Sequence, residues 1–101
     1  VTVPLFSSDL QNGVGADEIK EIYKCKYGSA IVSYKDKAAD GMLSAAAMSG
    51  LDSMKICVFG NDERILLTAV YDNLGKGASG AAVEVMNIIL GKDETSGLNI
   101  T

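Results

Sequence analysis

The sequence predicts an α+β domain in which a mixed β-sheet carries a covering helix. Three observations point there. Residues 1–34 read as strand, helix, strand, and residues 54–71 read as an apolar hairpin. A glycine-rich turn at residues 72–80 then opens a second, more apolar helix. A crossover suits parallel strands and a tight connector suits antiparallel ones, so one sheet holding both is mixed.

Residues 1–6 (VTVPLF) form a β-branched apolar run, and Pro4 makes it an edge strand or a strand end. Residues 7–15 are polar and turn-forming. Ile19, Ile22, Tyr23 and Tyr27 recur at helical spacing, with Asp17 and Glu18 in the favourable first turn. Lys20, Lys24 and Lys26 supply the outer face and the basic end, and Gly28 supplies a stop, so residues 16–27 make an amphipathic helix. AIVSY at residues 30–34 is the next strand. The crossover it completes is right-handed if the two strands are parallel neighbours.

Residues 35–51 carry no decisive pattern; Ala45-Ala46-Ala47-Met48 fits a helical turn or a loop with a short strand. Residues 54–59 and 65–71 are strands joined by Gly60-Asn61-Asp62-Glu63. Their near-continuous apolarity implies burial on both faces and a central place in the sheet. In residues 78–90, Ala78, Ala81, Ala82, Val85, Ile88 and Ile89 form one stripe, which Val83, Met86 and Leu90 extend around most of the helix. Only Ser79, Glu84 and Asn87 are polar, so this helix is expected to be buried, in a larger protein or against another domain. Gly91 ends it and a polar tail follows.

Composition removes whole classes of function. The chain of 101 residues is one domain at most. Without histidine it has no imidazole base and no Ser-His or Cys-His couple. A net charge of −4 argues against nucleic-acid binding. No apolar run approaches the ~20 residues that cross a bilayer. The opening Val1-Thr2-Val3-Pro4 has no basic leader and no initiator Met, which suggests a piece of something longer. Cys25 and Cys57 read as reduced, mostly buried thiols of a cytoplasmic protein. Asp62-Glu63 and Asp93-Glu94 read as solvated turns, so no metal is expected.

The densest chemical signal is Asp72-Asn73-Leu74-Gly75-Lys76-Gly77-Ala78-Ser79-Gly80, in which Gly75, Gly77 and Gly80 spell G-x-G-x-x-G. Glycines let backbone N–H groups approach an anion, and a helix start adds a favourable dipole. Lys76 adds charge, and the Asn73 amide can donate and accept together. A self-contained dinucleotide unit would need a further parallel strand ending in an acid about 20 residues on. Asp93 and Glu94 have the spacing but no strand. The glycines then serve either close helix–sheet packing or a ligand site completed elsewhere.

The stretch DNLGKGASGAAVEVMNIILGKDETSGL, residues 72–98, closely resembles the carboxy-terminal end of N-acetyl-gamma-glutamyl-phosphate reductases. That family closes with a DNL-x-KGA-x-G-x-A block, an M-N-x-x-L-G helix and an acidic-Thr-x-Gly-Leu ending. Val3-Pro4-Leu5-Phe6 and Val58-Phe59-Gly60-Asn61-Asp62 resemble its shorter form. The resemblance implies the fold of the aspartate-semialdehyde and glyceraldehyde-phosphate dehydrogenases. Residues 1–71 would then be part of the mixed-sheet substrate and dimerisation domain. Residues 72–101 would be the cofactor-facing turn, closing helix and tail of a Rossmann domain otherwise missing.

It further implies an NADP-dependent enzyme of arginine biosynthesis, interconverting N-acetyl-gamma-glutamyl phosphate and its semialdehyde through a cysteine thioester. The nucleophile and the base of such enzymes lie upstream, so no catalytic residue is carried onto Cys25, Cys57 or any other position here. Asn73 is implied to meet the nicotinamide carboxamide, with Gly75, Lys76 and Gly77 lining the same pocket. The partners implied are the small-molecule substrate and a second copy across the sheet, with neither nucleic acid nor membrane. One departure stands out: Ser49-Gly50-Leu51-Asp52-Ser53 replaces the usual Gly, Ser or Thr, then Asn before the hairpin. The competing reading is a stand-alone acidic module that binds a nucleotide or assembles as a subunit without catalysis.

Overall fold

The computed structural model describes residues 1–36 and 41–101. The chain folds as α+β. Strand β1 (Thr2–Phe6) leads through a short 3-10 turn to helix α1 (Ala16–Lys26) and strand β2 (Val32–Tyr34). Strands β3 (Met54–Gly60) and β4 (Arg64–Tyr71) make the hairpin, and helix α2 (Gly80–Ile89) closes the chain. The sheet runs β1-β4-β3-β2. Its β1–β4 and β3–β4 pairs are antiparallel and its β2–β3 pair is parallel.

The mixed sheet and the central hairpin follow the sequence, but β1 and β2 are not neighbours. They occupy opposite edges, so the connection through α1 spans the sheet. The hairpin takes the middle because it has the longest apolar strands and gains a ladder on both sides. Pro4, opposite Leu66, sits on an edge strand, where a missing N–H is tolerated.

Helix α1 lies over β3 and β2. Its Ile19 meets Val58 and Ile65 in the core, ringed by Leu5, Leu10, Val14, Tyr23, Tyr34 and Leu67. Glu18 accepts a hydrogen bond from the Gly15 N–H at 2.7 Å, which caps the first turn. Tyr23 and Tyr27 are half-buried and meet edge to face at 5.5 Å. Ile22 departs from the expected stripe and is 59% exposed. At ~100° per residue it lies far round the helix from the face shared by Ala16, Ile19, Tyr23 and Tyr27. The helix ends at Lys26, and Gly28 does not take the left-handed conformation of a glycine cap. Gly28 bridges to Ser33 instead.

Burial of the hairpin on both faces holds only at its centre. Val58 and Ile65 are buried beneath α1, and Cys57 and Thr68 are buried on the opposite face. Farther out on that second face Leu66 and Phe6 are exposed. Met48 and Cys57 line one cavity there. The Ala45–Met48 stretch resolves into successive turns, Ala47 N–H to Ser44 O and Ser49 N–H to Ala46 O. Residues 37–40, within the stretch 35–51 that carried no decisive pattern, lie outside the described residues. Cys25 is exposed, against the expectation of two buried thiols, because it sits on the outer side of α1. Both cysteines are free.

This chain by itself does not cover helix α2, whose burial was expected in a larger protein or against another domain: Val85, Met86, Ile88, Ile89 and Leu90 are all more than half exposed. Its inward side carries Gly80 and Asn87, which are buried, and Glu84, which is half-buried. The reason lies in the tail. Residues 94–96 turn back under α2, and the Asn87 Nδ2 donates to Glu94 O (3.1 Å) and Ser96 O (2.8 Å). Only a polar side chain can satisfy those carbonyls, so the polar stripe turns in.

Candidate functional site

The glycine-rich segment begins where β4 ends. The Asp72 carboxylate accepts three backbone N–H bonds: from Gly50 at 2.6 Å on Oδ2, and from Leu74 at 2.8 Å and Gly75 at 3.3 Å on Oδ1. These bonds, that from Gly50 above all, hold its carboxyl below the usual carboxylate range. The chain then winds as a π turn, Gly75–Ser79. Gly77 N–H reaches back to Asp72 O (3.0 Å), and Ser79 N–H and Oγ–H both donate to Leu74 O.

The loop of residues 50–53 lies tight against this turn. A Cβ on Gly75 would fall well inside contact distance of Leu51 O. One on Gly80 would overlap Asp52 Oδ1 and stand 2.8 Å from the Gly75 carbonyl. The glycines at 75 and 80 therefore allow the close packing that was one of the two readings of the motif. The tail clasps the same loop from its other side. Asp52 N–H donates to Asn99 O, Asn99 N–H donates to Asp52 Oδ2, and Asn99 Nδ2 donates to Gly50 O at 2.7 Å. Ser53 Oγ donates to Ile100 O at 3.0 Å.

The four positions singled out in the sequence part company here. Asn73 is exposed at the rim of a shallow cleft that Leu43, Ser44, Ala69 and Tyr71 also line. Its Oδ1 lies beside Gly77, whose Cα side faces the Tyr71 ring. Gly75 turns to the loop of residues 50–53. Lys76 turns to Glu84, and the two largely buried side chains form an ion pair. Asp72, Asp52 and Asn99, which tie the turn, the loop and the tail together, were not among the candidate ligand residues. The run Asp72-Asn73-Leu74-Gly75 is rich in turn-forming residues, a signal that could have drawn attention to Asp72.

The ion pair gives a test of what Lys76 is for. Glu84→Gln strands the Lys76 ammonium in a site where 13% of that side chain is exposed. We expect a loss of about 2–3 kcal/mol in urea denaturation, most of it recovered when Lys76→Met is added. An unchanged midpoint in the single variant would show that the pair contributes nothing.

Burial pushes the Cys57 thiol up, partly offset by Lys35 and Lys55, so it is no ready nucleophile. Among the described residues no helix is long and apolar enough to cross a membrane.

No family model matches the chain. The N-acetyl-gamma-glutamyl-phosphate reductase of Allorhizobium ampelinum is 41% identical to it over 96 residues, covering 89% of this chain and 31% of that protein. Those of Brucella ovis and Brucella canis are each 38% identical over 98 residues, covering 91% of this chain and 32% of each protein. The chain thus spans about a third of the length of these curated relatives, and its likeness is consistent with a carboxy-terminal segment of such a reductase.

Proposed function

We propose that the chain is the carboxy-terminal part of an N-acetyl-gamma-glutamyl-phosphate reductase, acting in arginine biosynthesis in the cytoplasm. The observation that carries this reading is likeness to such enzymes along nine-tenths of the chain. Residues 1–71 would serve the substrate and dimerisation domain, and residues 72–101 would close the nucleotide-binding domain. The reaction is reduction of an acyl phosphate to an aldehyde with release of inorganic phosphate. NADPH, the reduced cofactor, would supply the hydride when bound and leave as NADP.

The residues present suit one end of that cofactor. Asn73 offers an exposed amide beside an open cleft, and an amide matches a carboxamide by donating and accepting together. Lys76 is a poor phosphate ligand, because Glu84 already neutralises it. Its part would be to hold the turn, with Gly75 and Gly77 shaping the backbone around Asn73. The nucleophile, the base and the phosphate-binding loop would come from outside this segment. A second copy would cover the exposed sheet face around Phe6 and Leu66.

In the full-length enzyme, Asn73→Ala is expected to lower kcat about tenfold, the equivalent of one good hydrogen bond. The assay is NADPH formation from N-acetylglutamate semialdehyde and phosphate. Unchanged turnover and cofactor affinity would remove Asn73 from the site. The 101-residue chain alone is expected to turn over nothing; saturable nucleotide binding by it in calorimetry would favour the stand-alone binding module.

A further inference from the structure

We propose that Asp72 is a positioning residue for this site, its carboxylate registering Asn73 against the loop of residues 50–53; this deepens, and rests on, the reductase reading. The geometry is specific. Oδ1 takes two N–H groups of the residue's own turn, Leu74 and Gly75, while Oδ2 takes that of Gly50, 22 positions upstream. One carboxylate thus spans two chain segments, and Asn73 lies between the residue that supplies it and the first residue that donates to it.

The far end of the span is fixed. Gly50 O accepts from Asn99 Nδ2, Asp52 exchanges two bonds with the Asn99 backbone, and Ser53 bonds Ile100 O. On the near side the Asp72 carbonyl accepts from Gly77 N–H and begins the π turn. Among the described residues the Asn73 side chain makes no hydrogen bond; its Oδ1 lies beside Gly77 and the side chain is exposed. The framework fixes the backbone at Asn73 and leaves the amide free to work. A displacement of about 1 Å at such a point can cost as much as a hundredfold in rate.

The experiment uses the full-length enzyme. Asp72→Asn keeps the shape but turns an NH2 toward either Gly50 N–H or the Leu74 and Gly75 N–H groups, so part of the span must open. We expect kcat to fall about tenfold with the KM for the acyl substrate little changed. The primary deuterium isotope effect on kcat should rise, because hydride transfer becomes slower relative to product release. A loss of folded enzyme lowers kcat but cancels from the isotope effect, so the two causes separate.

Asp72→Glu keeps the charge and moves it outward by one methylene; it should show the same raised isotope effect, and serves if Asp72→Asn does not accumulate. In an Asn73→Ala background Asp72→Asn should add no further loss. Additive losses, or an unchanged isotope effect, would overturn the positioning role while leaving the reductase reading intact. A full-length enzyme inactive with every nicotinamide cofactor would overturn both.

Discussion

Ile65→Ala is expected to destabilise the chain by about 3–4 kcal/mol, the largest effect of any single truncation here. Ile65 is fully buried, packs against Ile19 and Val58, and stands opposite Leu5 in the β1–β4 register. It is held from several sides at once. Two strands and α1 converge on it, and at Gly60 the hairpin presses so close that a Cβ would lie 2.8 Å from the Ile65 Cα. Such a site cannot collapse easily, so the void remains and its cost adds to the lost transfer energy. A domain of this size has roughly 5–15 kcal/mol in all, so the variant should unfold at a much lower urea concentration with the slope unchanged. Ile65→Val should cost about 1 kcal/mol. A loss below 1 kcal/mol for the alanine variant would mean that the core closes over the gap.

Gly75→Ala is expected to cost about 2–3 kcal/mol, against the usual direction for a glycine in helical backbone. By propensity alone alanine would stabilise by up to about 1 kcal/mol. The opposing term is the close approach of Leu51 O, which is backbone and cannot rotate away. Gly28→Ala is the matched control. Its Cβ would meet nothing within 4 Å, and its backbone is not left-handed, so its effect should be small. If Gly75→Ala instead proved as harmless as the control in denaturant melts, the glycines would have no packing role and the ligand-site reading of the motif would gain.

The elements legible in the sequence were those whose pattern is local. The face of α1 built on Ile19 and Tyr23, and the hairpin around Gly60, each follow from residues within one or two turns of each other. The order of the strands was not legible, because placing β1 beside β4 rather than β2 depends on partners some 60 positions apart. Ile22 misled for a simple reason: an apolar residue at i+3 fits a stripe in sequence even when packing centres on i+4 and i+8.

The candidate site divides in the same way. That residues 72–80 form a special turn was plain from their glycines. What the glycines accommodate, the backbone of Leu51 and the carboxylate of Asp52, lies more than twenty positions upstream in a stretch with no pattern of its own. The orientation of α2 was hidden by composition. Glu84 and Asn87 looked like stray polar residues on an apolar helix, and only their partners, Lys76 and the carbonyls of Glu94 and Ser96, reveal them as its inner face.

The π turn ahead of α2 bears on that inner face in a way that residue chemistry alone does not. A ring closed from i to i+5 holds one residue more than the α-helical ring. In rotational terms it is a one-residue insertion, worth roughly 100° of helical phase to everything downstream. Removing a single residue between 75 and 79 would leave the composition of α2 untouched. It would nevertheless swing Glu84 away from Lys76 and Asn87 away from the tail, and bring apolar side chains round in their place. The outward display of Val85, Ile88 and Ile89 is therefore a phase angle, set at the turn before the helix begins.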